Sequence, residues 1–165
     1  MNDRPPIKRH QALVSLSRDH HYGLLLVWKI KQGLANAIAP ERISNYVLYF
    51  FDKDLQQHFK EEEQLLFPKL PAGNALRQQA EKEHTVIYDL IDQLGRDKTN
   101  EKLLLQFAET LKDHIRFEER ELFAYMQQTL TESELEMITI HDDTRSNDVD
   151  ARWKDVFWVT DKSGL

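Results

Sequence analysis

Apolar positions recur along the chain at intervals of three and four residues, the period of helices buried on one side. Residues 1–12 read as an irregular lead-in, with Pro5 and Pro6 blocking helix. Ser17 is expected to cap a first helix with Leu24, Val27, Ile30 and Leu34 inward, running to about Ala37. Pro40 suits the first turn of a second helix. Its inner stripe is Val47, Leu48, Phe51, Leu55, Phe59, Glu62, Leu65 and Leu66, and Pro68 and Pro71 end it. Leu76, Ala80, His84, Ile87, Ile91 and Leu94 mark a third helix, closed by Gly95. Thr99-Asn100 opens a fourth, with Leu104, Phe107, Leu111, His114, Glu118, Leu122 and Tyr125 inward. Thr131 with Glu134 forms a capping box for a short fifth helix to about Ile140. The polar tail over 141–165 carries Trp153, Phe157 and Trp158, which are expected to fold back onto the rest. Four long helices with short connections predict an all-α, up-down-up-down four-helix bundle with a short fifth helix and a C-terminal tail. No linker divides the chain, so one domain is expected over 1–165, with the bundle at about 13–128.

Composition narrows the class. A chain of 165 residues with 41% hydrophobic and 30% charged residues buries an ordinary core. Its formal charge of −6 argues against a nucleic-acid surface. There is no cysteine, which removes disulfides, thiolate ligands and cysteine nucleophiles and suits a reducing compartment. The N-terminus lacks an apolar h-region, and GLLLVW at 23–28 is too short to span a bilayer. The expectation is a cytoplasmic protein with no membrane contact.

The apolar stripes are interrupted by histidine and glutamate. Residues advance about 100° each along a helix, so i and i+4 nearly align. In HFKEEEQLLFP, residues 58–68, His58 and Glu62 share a face with Leu55, Phe59 and Leu66, while Glu61 and Glu63 fall nearer solvent. HIRFEERELFA, residues 114–124, repeats the arrangement with His114 and Glu118, and Glu119 turns aside. His84 is in phase with Ala80, Ile87, Tyr88 and Ile91. His20 is in phase with Leu13, Leu16, Leu24 and Val27. Each long helix therefore aims one histidine at the bundle axis, and two add a glutamate. Antiparallel packing brings His20 level with His58 and Glu62, and His84 level with His114.

A buried, ionised glutamate without a partner is very costly. Metal coordination removes that cost, and imidazole with carboxylate but no sulfur suits iron, manganese or zinc. Four imidazoles and two bridging carboxylates can hold two ions. Taken singly, His58 reads as a surface histidine, Glu61-Glu62-Glu63 as a solvated charge run and His84 as a core histidine. The coincidence of all four helices favours the metal reading. His10 and His141 read as solvated, and His21 remains the rival of His20. A ferritin-like site needs two Glu-x-x-His motifs, and only Glu81 to His84 supplies one.

The set His20; His58 with Glu62; His84; His114 with Glu118 resembles the hemerythrin-like, HHE cation-binding domains. SRDHHYGLL, HFKEEEQLLFP, EKEH and HIRFEEREL are similar to that family's four helix motifs. The resemblance implies a non-haem di-iron centre with those six residues as ligands, Glu62 and Glu118 bridging, and zinc or manganese as substitutes. It also implies oxygen or a related small diatomic ligand as the partner, in binding, sensing or iron storage, with no catalytic residue assigned. Two positions depart from oxygen-carrying members. Their second helix-three histidine is Tyr88 here, which would line the site or hydrogen-bond a ligand. Their helix-four carboxylate lies five residues after its histidine, which points to Glu119, whereas phase points to Glu118. The site with fewer histidines motivates an alternative, a di-iron oxidoreductase acting on oxygen, peroxide or nitric oxide. A metal-free helical interaction module, motivated by the aromatic tail, is the third reading.

Overall fold

The computed structural model describes residues 8–138 and 149–159. Helix α1 spans Val14–Ala35 and follows a 3₁₀ turn at Gln11–Leu13. The His10 side chain caps that turn by accepting from the Ala12 N–H at 3.0 Å. Ser17 is therefore a turn inside the helix and is not its cap: His10 supplies the acceptor, and the buried Leu13 and Leu16 pull the helix start upstream. Helix α2 runs over 40–66, with Pro40 in its first turn as expected. It is α-helical over Pro40–Phe50 and Gln56–Glu61, and π-helical over Phe51–Leu55 and Glu62–Leu66. A 3₁₀ turn at Phe67–Lys69 ends it.

Helix α3 is Ala75–Arg96, and Asn74 caps it by accepting from the Leu76 and Arg77 N–H groups. Helix α4 runs over 101–129, capped by Asn100, with a π turn at Glu118–Leu122 between Glu101–Phe117 and Phe123–Thr129. Helix α5 is Glu132–Glu136, with the expected capping box at Thr131 and Glu134. It stops short of the expected end. Ile140 and His141 lie outside the described residues.

Contacts between helices run in opposite senses along neighbours. His58 meets Asp19 while Tyr46 meets Lys29, so α2 is antiparallel to α1. His114 meets Glu83 while Tyr125 meets Asn74, so α4 is antiparallel to α3. The described residues form an all-α, up-down-up-down bundle without strands.

Two apolar clusters fill the bundle. The larger includes Ile30, Tyr46, Phe59, Ile87, Phe107 and Leu111. Val149, Trp153, Phe157 and Trp158 of the tail pack on it, as the aromatic content of the tail predicts. The smaller cluster, at the other end, includes Leu13, Leu16, Phe67, Phe123 and Leu135. One stripe position differs from the expectation. Leu24 is 41% exposed, and Gly23 is buried in its place. The reason is close approach: a Cβ on Gly23 would lie 2.8 Å from Cδ1 of Ile115, so glycine lets α1 and α4 touch there without displacing that side chain.

Candidate metal centre

Ten polar or charged side chains are buried among the described residues, and six of them meet between the two apolar clusters. These six are His20, His58, Glu62, His84, His114 and Glu118, the six inward residues of the helical pattern. They form two groups that share both glutamates. His20 and His58 with Glu62 and Glu118 make one, and His84 and His114 with the same pair make the other. Within each group the potential ligand atoms lie within 4.8 Å of one another. The His20 and His58 rings are 5.0 Å apart, and the His84 and His114 rings 4.8 Å.

The inward nitrogens crowd the carboxylates. His20 Nε2 is 2.9 Å from Glu118 Oε1, and His84 Nε2 is 3.1 Å from Glu62 Oε1. His58 Nε2 stands 3.3 Å from Glu62 and His114 Nε2 3.2 Å from Glu118, both without hydrogen-bond geometry. Each glutamate thus faces one histidine from each side of the site.

The outward nitrogens are all occupied. His20 Nδ1 donates to Glu119 at 2.9 Å, His58 Nδ1 to Asp19 at 3.0 Å, His84 Nδ1 to Glu63 at 2.7 Å and His114 Nδ1 to Glu83 at 2.8 Å. An ionised carboxylate only accepts, so the proton sits on Nδ1. Once Nε2 gives up its own proton, its lone pair points inward, the arrangement a metal-bound histidine needs.

These four carboxylates were not apparent from the helical stripes. Glu63 and Glu119 do turn off the axis, as expected, but toward the histidine of a neighbouring helix and not to open solvent. Glu61, expected nearer solvent, is 7% exposed. A signal for the four was present: Asp19, Glu63, Glu83 and Glu119 each adjoin one of the six inner residues in sequence. A residue next to an inward one is rotated by about 100°, which aims it across to the adjoining helix.

Glu118 therefore belongs to the inner set, and Glu119 holds His20 from outside. His21 is exposed and packs edge-on against Tyr22, away from the cluster. His10, expected to be solvated, is tied to Glu132 at 2.8 Å besides capping its turn. Tyr88 does not enter the inner set. Its hydroxyl donates to Glu63 at 2.8 Å, one residue removed from His84.

Both glutamates begin a π turn. The Phe67 N–H bonds to the Glu62 carbonyl, and the Phe123 N–H to the Glu118 carbonyl, five residues apart in each case. π turns are rare and concentrate at functional sites. Here each inserts one residue after the glutamate, so positions i+4 and i+5 are both buried: Leu66 with Phe67, and Leu122 with Phe123.

Electrostatics and unmet valences show what the cluster suits. Burial alone would push the imidazoles toward neutrality. The surrounding carboxylates outweigh it and raise His20, His84 and His58, and raise His114 to about 10. Burial likewise opposes ionisation of Glu118, but His114 and His20 hold it well below the usual carboxylate range. Six carboxylates around four imidazoles call for cationic charge. Nε2 of His58 and His114 and Oε2 of Glu62 and Glu118 are buried without a hydrogen-bond partner. Orphaned groups of this kind are costly, and here all four belong to the two groups that share the glutamate pair. A nitrogen and oxygen donor set without sulfur fits iron, manganese or zinc. The residues present thus fit a metal cation.

Fold and site together define a helical bundle with a carboxylate- and imidazole-lined cation site in its core. The chain belongs to the hemerythrin family: the hemerythrin HHE cation-binding domain matches it over residues 11–126. Compared with the curated proteins and with the solved structures, the chain finds no match.

Proposed function

We propose that His20, His58, Glu62, His84, His114 and Glu118 hold two iron ions, with Glu62 and Glu118 bridging. The proposed role is to bind or sense oxygen or a related small diatomic ligand, or to sense or store iron. The observation that carries this is the sharing of one glutamate pair by two histidine pairs. Two iron ions would supply redox electrons and open coordination positions to such a ligand. The chain's own residues orient and shield. Asp19, Glu63, Glu83 and Glu119 fix the imidazole tautomers, and the two apolar clusters keep bulk water from the inner atoms. The cysteine-free composition suits a reducing compartment such as the cytoplasm. Among the described residues no helix is long and apolar enough to cross a membrane.

Elemental analysis after loading with iron tests the ligand set. About two ions per chain are expected, falling below one in Glu62→Ala. A stoichiometry well under two that Glu62→Ala leaves unchanged would reject the reading. A melting temperature indifferent to chelation would favour the metal-free module instead, because a bound ion stabilises the fold by linkage.

The oxidoreductase reading is favoured by Tyr88, which stands where oxygen carriers place a further histidine and is bonded to Glu63. Repeated consumption of oxygen, peroxide or nitric oxide with an electron donor, lost in His84→Ala, would establish it. A spectrum that cycles with oxygen without turnover would favour binding.

A further inference from the structure

We propose that Arg9 is a positioning residue for the ion held by His20 and His58, and that it makes the two metal positions unequal. This rests on the two-ion reading above. The outer carboxylates are themselves held, and the holders differ. Beside the His84 and His114 position, Glu63 accepts from the Tyr88 hydroxyl at 2.8 Å and Glu83 from the Gln79 amide at 2.9 Å. Both donors are neutral. Beside the His20 and His58 position, Glu119 uses Oε1 for His20 and Oε2 for the Arg9 guanidinium, at 2.8 Å.

Arg9 is fixed at three acceptors. Besides the Glu119 carboxylate it donates to the Glu119 carbonyl at 3.0 Å and to Gln127 Oε1 at 2.9 Å. Gln127 in turn accepts from the His10 N–H at 3.1 Å and donates to the Lys8 carbonyl at 2.9 Å. The segment 8–10 is thereby strapped along α4. Arg9 also stands 5.4 Å from the centroid of the Phe123 ring, which stacks on the His20 ring at 5.4 Å and 12°. It therefore reaches His20 by two routes, one polar and one through packing.

The Glu119 side chain is 27% exposed, so water competes for it once the guanidinium is gone. An imidazole whose Nδ1 acceptor wanders loses its preset orientation, and loss of such outer partners typically weakens metal binding about 10- to 100-fold. Lysine would keep the charge but not the planar fork that spans carboxylate, carbonyl and amide.

Zinc is the probe, and a colorimetric chelator follows its extraction from the full chain. Wild type is expected to take up two zinc ions and to release them in two phases. R9A should speed one phase about tenfold and leave the other within about twofold. E119Q should speed the same phase, and the R9A/E119Q pair should be no faster than E119Q alone. R9K should recover part of the R9A loss. E63Q should speed the other phase, which assigns the two. Metal-free R9A should melt with wild type. Acceleration of both phases with a lowered melting temperature means a merely structural role and overturns the proposal. So does an R9A protein that releases both ions as wild type does, or additive effects of R9A and E119Q. Uptake of fewer than two zinc ions by wild type overturns the two-ion reading and this proposal with it.

Discussion

Glu62 and Glu63 differ by one step of helical rotation, and so do Glu118 and Glu119. The first of each pair is fully buried among imidazoles, and the second reaches sideways to a histidine on the next helix. A consequence at this scale concerns protons. In the metal-free protein burial works against a charged His114, but Glu118, Glu83 and Glu62 outweigh it and keep the ring protonated up to about 10. Metal needs the Nε2 lone pair, so uptake near neutral pH must displace protons. Calorimetric titrations in buffers of different ionisation enthalpy are expected to show proton release, with apparent affinity rising as pH rises toward 10. The sign for the metal-free fold is opposite. A raised histidine pKa contributes stability that is complete below the ordinary value of 6.5 and fades as pH climbs toward about 10. Denaturant melts of metal-free protein across that window should show this loss, and metal-loaded protein should not.

The elements respond differently to the two buried glycines of α1. A Cβ on Gly23 would crowd Cδ1 of Ile115, the far end of a flexible side chain, and meet its Cγ1 at an ordinary 4.0 Å. A Cβ on Gly33 would meet Ile43 Cδ1 at 2.8 Å, Ile43 Cγ1 at 3.0 Å and Phe157 Cε2 at 2.9 Å, pinching α2 and the tail together. Alanine gains up to about 1 kcal/mol of helix propensity at either site. Gly33→Ala is expected to lose about 1–2 kcal/mol net through overpacking, and Gly23→Ala to stay within about 1 kcal/mol of wild type. Chemical denaturation distinguishes them. The helices themselves were legible because long stripes such as Leu104, Phe107, Leu111 and His114 keep one period. Their irregularities were not. A π turn leaves local composition unchanged, and only the five-residue bonds to the Phe51, Glu62 and Glu118 carbonyls reveal the three of them. The six inner residues could be read from phase alone, since each sits on its helix's own stripe. Asp19, Glu63, Glu83 and Glu119 could not, because their role depends on which helix stands alongside.

For the whole molecule, the cation site lies between two apolar clusters, and the larger one is completed by the tail. Lys29 of α1 is 3% exposed, a burial that no local pattern signals because its partner is far away in sequence. It bonds to Asp150 and to the Tyr46 hydroxyl, and it stands 4.1 Å from the Trp158 ring centroid. Arg42 adds a fork to Asp155, at 2.6 and 2.9 Å. Removing one partner of a buried pair commonly costs about 3–5 kcal/mol. Asp150 is 38% exposed and can rehydrate, so Lys29→Met is expected to cost nearer 2 kcal/mol. Limited proteolysis should then cleave the tail well before the bundle, and the zinc stoichiometry should not change.

The histidine–carboxylate pairs also close on themselves. Asp19 of α1 holds His58 of α2, Glu63 of α2 holds His84 of α3, Glu83 of α3 holds His114 of α4, and Glu119 of α4 holds His20 of α1. No helix can rotate about its axis without releasing one histidine of its own and one of its neighbour's. A bundle with three helices docked has the circuit broken at two of its four links. A cation gripped by these histidines would therefore proofread folding, because the full donor set comes together only when the last helix has arrived in register.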